Sequence, residues 1–305
     1  MKKGILVIGS LNMDLSIDLA KMPVTGETIL GRGIAYKAGG KGANQACAAG
    51  KLGGRVRMLG CVGQDEFGQK LVKSLSESGV ETDYIKESRD LPTGTAVIYV
   101  DDNGDNSIVV IPGANMACDI EYLKEQDEQF HWCDYVVLQM EIPYEAVWYS
   151  VKRAKELGKM VILNPAPAPD EIPEEILSLV DYLTPNETEI IALNGKSKDD
   201  IREGAEKLLS RGVSNVIATL GDRGALLVNR YGETFYPARK VVSVDTTAAG
   251  DCFNGAMVAA LAEGQSEAEA ILFANIASSI AVTRKGAQES LPIREEVAVI
   301  MLNIF

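Results

Sequence analysis

The sequence predicts an α/β fold, with a mostly parallel central sheet, helices on both of its faces, and a small β-sheet standing off the main body. Three observations carry this. Residues 4–8 form a continuous apolar run ending at Gly9-Ser10, the pattern of a strand buried on both faces. From residue 120 onward short apolar runs alternate with segments of helical spacing, which implies right-handed crossovers between parallel strands. Segments 15–19 and 26–36 are instead β-prone with interspersed polar residues. Together with strands at 95–100 and 107–111, which flank the turn Asp101-Asp102-Asn103-Gly104-Asp105, they suit a small sheet exposed on one face.

Taken in order, the first strand leads to Asn12 and Asp14, at a strand end where open α/β sheets place ligands. Gly9-Ser10-Leu11-Asn12 lacks the further glycines of a dinucleotide-binding turn. Two hydrogen-bonding side chains at i and i+2 either serve the turn or face one polyol. Ala38-Gly39-Gly40-Lys41-Gly42-Ala43-Asn44-Gln45 is a glycine-rich loop opening an alanine-rich helix to residue 52. No GKS or GKT closes it, so it is not a Walker loop, yet it offers amides, Lys41 and Asn44 to a hydroxylated ligand. A strand at 55–61 and an amphipathic helix at 66–78 precede the hairpin, which extends the small sheet. Then come strand 135–138, helix 144–157, strand 160–163, a short helix at 174–179 and a short strand at 181–184. Helices at 187–193 and 201–211 precede strand 215–219. Polar residues close successive strands: Gln139 and Glu141, Asn164, Asn186 and Glu189, Thr219 and Gly221. Such a series lines a crevice. A second hairpin, 225–228 with 234–236, leads into residues 244–255; a helix at 268–282 and a loop at 283–288 follow. No internal repeat, low-complexity tract or long linker interrupts the chain. One domain is expected, with the small sheet built from insertions at about residues 12–36 and 93–112.

Composition narrows the function. A chain of 305 residues buries a large core, and 46% hydrophobic with 24% charged residues is globular. The formal net charge of −13 argues against a nucleic-acid or anionic-membrane surface, since both need clustered Lys and Arg. The cysteines, Cys47, Cys61, Cys118, Cys133 and Cys252, are odd in number without CxxC spacing, so reduced thiols in a cytoplasmic protein are expected. His131 is the only histidine, which excludes a histidine zinc cluster and leaves a Ser-His-Asp triad without support. Lys2 and Lys3 precede an apolar run too short for a signal peptide or a membrane span.

The chain is organised around Val244-Asp245-Thr246-Thr247-Ala248-Ala249-Gly250-Asp251-Cys252-Phe253-Asn254-Gly255. This stretch begins as a β-type run, turns through small residues and enters an apolar helix at 253–261. Ala248, Ala249 and Gly250 put almost no bulk at the turn, so a ligand can approach the backbone. The first amides of a helix are unpaired and its dipole adds positive charge, which makes an anion site suited to phosphate. Asp251 would repel such a ligand unless it had another task. One such task is to take a proton from an attacking hydroxyl during phosphoryl transfer; the alternative is a first-turn acid that stabilises the helix. Cys252 beside it reads as a small buried residue rather than a nucleophile.

With these residues the chain resembles the phosphofructokinase-B type carbohydrate and nucleoside kinases, and within them the ribokinases. Two signatures carry the resemblance: Gly39-Gly40-Lys41-Gly42-Ala43-Asn44-Gln45 and the 245–255 stretch. Asn164-Pro165-Ala166-Pro167, Thr184-Pro185-Asn186-Glu187-Thr188-Glu189, Thr219-Leu220-Gly221-Asp222-Arg223-Gly224 and Val282-Thr283-Arg284-Lys285-Gly286-Ala287 extend it over almost the whole chain. The resemblance implies a ribokinase-like three-layer sandwich whose small sheet is a lid, and a homodimer clasped through two lids. It implies ATP-dependent phosphorylation of D-ribose at the 5-hydroxyl. Kinases of deoxyribose, a nucleoside or a hexose are the alternative, and a non-catalytic sugar-binding protein is a third. Position by position, it implies Asp251 as base and the amides of Ala248, Ala249 and Gly250 as anion hole. Asn12, Asp14, Gly40, Lys41, Gly42, Ala43, Asn44 and Glu141 are implied at the sugar. Asn186, Thr219, Leu220, Gly221, Asp222, Arg223, Gly224, Gly250 and Asn275 are implied at the nucleotide. Glu189 belongs to an NxxE element linked to Mg²⁺ through water. Asp245, Thr247, Ala281, Arg284, Gly286 and Ser290 match a loop for a monovalent cation such as K⁺, several through main-chain oxygens. The family usually has Gly where this chain has Ala248, and some relatives carry another polar residue at the place of Asn275.

Overall fold

The computed structural model describes residues 2–103, 105–195 and 200–302; Gly104, in the turn expected at 101–105, lies outside the described residues. In chain order the strands are β1 (Gly4–Ile8), β2 (Asn12–Asp18), β3 (Gly33–Gly39), β4 (Arg55–Leu59), β5 (Cys61–Gly63), β6 (Val80–Glu81), β7 (Lys86–Ser88), β8 (Gly94–Val100), β9 (Asn106–Ile111), β10 (Tyr135–Leu138), β11 (Met160–Leu163), β12 (Tyr182–Leu183), β13 (Asn215–Thr219), β14 (Gly224–Asn229) and β15 (Gly232–Pro237). The helices are α1 (Lys41–Lys51), α2 (Glu66–Glu77), α3 (Ile120–Glu125), α4 (Asp127–Trp132), α5 (Tyr144–Glu156), α6 (Glu174–Leu177), α7 (Glu187–Leu193), α8 (Ile201–Ser210), α9 (Ala249–Ala262), α10 (Glu267–Ala281) and α11 (Arg294–Met301).

β1 lies inside a nine-stranded sheet of order β15-β14-β13-β12-β11-β10-β1-β4-β6. All five of its residues are buried, which accounts for the unbroken apolar run. Ile5 and Val7 enter a core shared with α1, α2, α9 and α10, whereas Leu6 and Ile8 enter a second core shared with α3 to α8. The two-residue period of the strand thus divides its side chains between two helical layers. The strands from β6 to β13 pair in parallel, and β14 and β15 run antiparallel at one edge. The chain fills one side of β1 first and returns as β10 on the other. Where an open sheet reverses its order in this way, a crevice opens beyond the strand ends. Ser10 and Asn12 follow β1 there, and Gln139 and Glu141 follow β10.

The hairpin of β8 and β9 does extend the small sheet, whose order is β3-β2-β8-β9. Lys37, Asp14, Ala96 and Val110 are paired neighbours in one row across it. Ile108, Val109, Val110 and Ile111, on the edge strand β9, are all at least half exposed.

Several segments depart from the expected pattern. Asn12 and Asp14 lie on β2 itself rather than in a turn, so the i, i+2 spacing puts them on one face. The strand at 55–61 breaks at Gly60, where a side chain would meet Leu11 and the Gly9 carbonyl. α1 starts at Lys41, inside the glycine stretch, and α9 starts at Ala249, four residues before the expected start at Phe253. A 3₁₀ turn at Gly113–Ala117, the six-residue α3 and α4, and α11 were not foreseen; such short segments hold too few turns to show a period. All five cysteines are free and buried, and burial pushes the Cys252 thiol up to about 12, as a packing residue requires. Among the described residues no helix is long and apolar enough to cross a membrane.

Candidate active site

The site forms where the first turns of α1 and α9 meet. Asp251 is the third residue of α9 and is buried. Asn44 Nδ2 donates to its Oδ2 at 2.9 Å, and Gln45 Nε2 donates to its Oδ1 at 3.0 Å. Each carboxylate oxygen therefore has a donor, and its direction is fixed from both sides. The Gln45 amide is itself oriented: Gln139 Nε2 donates to Gln45 Oε1 at 2.8 Å, and Gln45 Nε2 also reaches Asn164 Oδ1 at 3.2 Å. Gln45 was quoted in the early signature but not assigned a role. Asn44 Oδ1 is buried without a partner among the described residues, which leaves one acceptor for a ligand hydroxyl.

Ahead of Asp251, Ala248 occupies the N-cap at φ 58°, the only non-glycine residue at positive φ among those described. The Ala249 N–H is engaged with Thr246 O at 3.2 Å. The N–H groups of Ala248, Gly250 and Asp251 find no partner among the described residues. Of the three amides expected to receive an anion, two are open, and that of Asp251 joins them.

The glycine stretch of α1 does something different from what its composition indicated. Lys41 N donates to Glu141 Oε2 at 3.1 Å, Gly42 N to Ser10 Oγ at 3.3 Å and Ala43 N to Ser10 O at 2.9 Å. The amides of Lys41, Gly42 and Ala43 are thus occupied. The glycines serve close packing: a Cβ on Gly40, at φ 90°, would lie 2.7 Å from Asn12 N, and one on Gly42 would lie 2.6 Å from Ser10 N. Glu141 is held through Ser10 Oγ at 2.6 Å as well. Asp14 lies over Gly39, where a Cβ would come within 2.2 Å of its Oδ2.

A cavity of about 450 Å³ adjoins these groups, lined among others by Asn12, Val110, Asn115, Met140 and Glu141. Burial, then Glu141 and Asp251, push the Asp14 carboxyl up to about 7, with Lys37 and Lys41 opposing. Burial works against the charge on Lys41, but Asp251, Glu141, Glu189 and Asp14 outweigh it and its pKa rises. The five groups thus form one electrostatic cluster.

On the other flank, Asn186 caps α7 by accepting from Glu189 N at 2.8 Å, and both Glu189 oxygens accept from Asn186. Burial raises the Glu189 pKa, against the Asn186 N–H and Lys41. Asn186 and Thr219 form a parallel bridge. Leu220 N bonds Gly224 O, closing the turn through Gly221 and Asp222, and exposed Arg223 pairs with Glu187. A second cleft, of about 490 Å³, is lined by Ala238, Arg239, Leu272, Asn275, Ile276 and Ile300. Asn275 Nδ2 is bound to Tyr236 O at 3.0 Å. Ile300, from α11, was not foreseen in the site.

The loop after α10 folds against the turn, as expected. Val244 N and Asp245 N both reach Val282 O, and Gly286 N donates to Asp245 Oδ2 at 2.9 Å. Thr247 supplies its N–H and hydroxyl to Asp245 Oδ1. Burial opposes the charge of Asp245, but these donors outweigh it and hold its carboxyl below the usual range. Ala281 O accepts from Arg284 N, the Arg284 guanidinium pairs with Glu296, and Ser290 is fully buried. Among the described residues no group of three or more His, Cys, Asp or Glu side chains could hold a metal ion.

Residues 2–294 match the pfkB family of carbohydrate kinases. The chain belongs to that family. It is 38% identical over 300 residues to the ribokinase of Haemophilus influenzae, covering 97% of each chain. It is 37% identical over 295 residues to a deoxyribokinase of Salmonella typhi, covering 96% of each. The structure of Arabidopsis thaliana ribokinase complexed with ribose and ATP superposes with a TM-score of 0.92 at 34% identity, covering 99% of both chains. The ribokinase-like α/β sandwich with its additional small sheet is therefore the fold of this pfkB chain.

The pKa of Asp14 sets a testable pH dependence. The group titrates near 3.8 when unperturbed and near 7 in the fold. Between those values the folded state holds the extra proton, so stability falls as pH rises from about 4 to about 7. Asp14→Asn has no such slope. Its melting temperature, measured without sugar, should exceed that of the parent by a margin that widens from pH 5 to pH 8. A constant margin over that range would contradict the burial of this carboxylate.

Proposed function

We propose that this pfkB chain transfers the γ-phosphoryl group of ATP to the 5-hydroxyl of D-ribose, giving D-ribose 5-phosphate. The observation that carries the reading is Asp251, aimed by Asn44 and Gln45 at the head of a helix whose neighbouring amides are open. Asp251 accepts the hydroxyl proton as the sugar oxygen bonds to phosphorus and the bond to the ADP oxygen breaks. The transition state is loose, so most of the catalysis lies in positioning and in charge stabilisation. The open amides of Ala248 and Gly250 stabilise the transferring group. Asn12 and Asp14 take vicinal hydroxyls of the sugar, and the second cleft, apolar apart from Asn275 and Arg239, takes the adenine. Consumption of ATP over a panel of pentoses, hexoses and nucleosides tests this. Ribose should lead, with 2-deoxyribose behind by about 10²-fold in kcat/KM, because a buried polar group would lose its partner. Preference for 2-deoxyribose or a nucleoside would reassign the substrate within the family. Asp251→Asn should lose at least about 10²-fold in kcat with ATP binding retained, and near-normal turnover in it would remove Asp251 from the mechanism.

Two ions fit the residues present. Glu189 is the side chain that would hold Mg²⁺ through water; since no group of three or more His, Cys, Asp or Glu among the described residues could chelate it, the ion would keep most of its waters and would neutralise phosphate charge. Asp245, with main-chain oxygens of Thr247, Ala281, Arg284 and Gly286 and the buried Ser290, makes an oxygen-rich setting for K⁺ beside the turn. By fixing the peptides ahead of Ala248, it should act on kcat. In tetramethylammonium buffer at constant ionic strength, KCl is expected to raise kcat more than NaCl; activity indifferent to both would remove the cation.

The small sheet serves as a lid over the sugar and as the contact between two copies. Its edge strand β9 exposes four consecutive apolar residues, and a four-stranded sheet of this size buries little by itself. Light scattering at micromolar concentration should give a dimer mass. Monomer mass, or a dimer unaffected by Ile108→Lys, would count against this interface.

A further inference from the structure

Asn115 follows the small sheet in the 3₁₀ turn Gly113–Ala117 and is almost fully buried. Its Oδ1 accepts from Leu11 N at 2.8 Å. A main-chain N–H is only a donor, so the atom facing it is an oxygen and the orientation of the Asn115 amide is settled. Nδ2 then lies on the other side, donating to Leu11 O at 3.2 Å and to Asn12 at 2.7 Å. The Asn12 atom that receives this bond is accordingly an acceptor, Oδ1. Asn12 lines the cavity of about 450 Å³ beside Glu141, and its Nδ2 has no partner among the described residues.

We propose that Asn115 is a positioning residue for sugar recognition: by holding Asn12 Oδ1 it commits the Asn12 side chain to donating its N–H to a substrate hydroxyl oxygen. Asp14, two residues on along β2, presents only acceptors when ionised. The pair therefore offers one donor and one acceptor side by side. A hydroxyl accepts from one neighbour and donates to another, so a vicinal diol satisfies both. Gly94 completes the device. It pairs with Asn12 in the sheet, and a Cβ there would lie 2.3 Å from both Asn115 Nδ2 and Asn12 Oδ1.

The inference rests on the sugar-kinase reading, and the experiment separates the two. Asn115→Asp keeps an acceptor for Leu11 N–H but sets an acceptor against Asn12 Oδ1, so Asn12 turns its amide over. Gly94→Ala wedges the same contact apart without touching Asn115. Each should raise the ribose KM about tenfold, the worth of one hydrogen bond, and leave the ATP KM unchanged. On an Asn12→Ala background Asn115→Asp should add less than about twofold, since it acts through Asn12. In the ¹⁵N-labelled parent, ribose should shift the side-chain amide resonance of Asn12 and leave that of Asn115 in place. An Asn12 resonance unmoved by ribose overturns the proposal whether or not the variants fold. So does an unchanged ribose KM in the variants, an equal rise in both KM values, or an undiminished effect on the Asn12→Ala background. A parent without sugar-dependent ATP turnover would instead overturn the sugar-kinase reading, and this inference with it.

Discussion

The close approach of α1 and α9 is the constraint on which the site depends. Gly255 faces α1, and a Cβ there would lie 2.5 Å from both Ala48 Cβ and Gln45 O. Gly255 follows Asp251 by four residues, one turn along the same face of α9. Ala48 stands in the same relation to Asn44 on α1. The faces that pack one turn inside the helices are thus the faces that meet at Asp251. Both helices are lined with alanine and glycine at this contact, so their backbones come near enough for short amide side chains to span the gap. Added bulk at 255 would have to be relieved by moving one helix, since a packed interior has no spare volume. That movement would draw Asn44 and Gln45 away from Asp251.

The charge arrangement follows from who receives hydrogen bonds. Four carboxylates, those of Asp14, Glu141, Asp251 and Glu189, act on Lys41. Glu141 accepts from Ser10 and Lys41 N–H, Asp251 from Asn44 and Gln45, and Glu189 from Asn186. Asp14 has no hydrogen-bond donor among the described residues, and it is the one pushed up to about 7. Burial without donors penalises the charged form. In the proposed sugar contact, substrate hydroxyls would supply the missing donors and so favour the ionised form that burial disfavours.

The sequence disclosed those parts whose chemistry is written in neighbouring residues. The buried β1 follows from its apolar run, and the Asp251 stretch from an acid set among small residues. Lys37 and the other residues that complete the row across the small sheet follow only from strand pairing. Asn115 and Gln45 were beyond reach for a different reason. Asn115 acts on residues 104 and 103 positions away, and Gln45 on one 206 positions away, so nothing local marks either amide. The glycine-rich α1 start is ambiguous in the sequence because glycine serves two ends. It can bare amides to a ligand or let two backbones touch, and composition does not distinguish these. At Lys41, Gly42 and Ala43 the amides are occupied by Glu141 and Ser10.

The open amides at the head of α9, the proposed anion site, depend on conformation as well as on composition. The amides of Gly250 and Asp251 are open because they lie in the first turn of α9, and a left-handed residue followed by right-handed ones turns successive N–H groups toward one concavity. For an L-residue the conformation costs roughly 1–2 kcal/mol. Glycine would adopt it without that cost but would also leave it more readily. Here the turn is fixed from several sides: Asp245 binds Thr247 and Gly286, Ser278 Oγ donates to Ala249 O at 3.1 Å, and Asn254 Nδ2 donates to Gly250 O at 2.9 Å. Asn254 in turn accepts from Thr184, whose main-chain oxygen is held by Asn164, the partner of Gln45. The amide network that aims the Asp251 carboxylate therefore ends on the Gly250 peptide, beside the open amides proposed as the anion hole. The Asp251 carboxylate and the open amides beside it, the proposed base and phosphate seat, are braced by one set of side chains, which is how a strained alanine can stand where the turn needs a fixed direction.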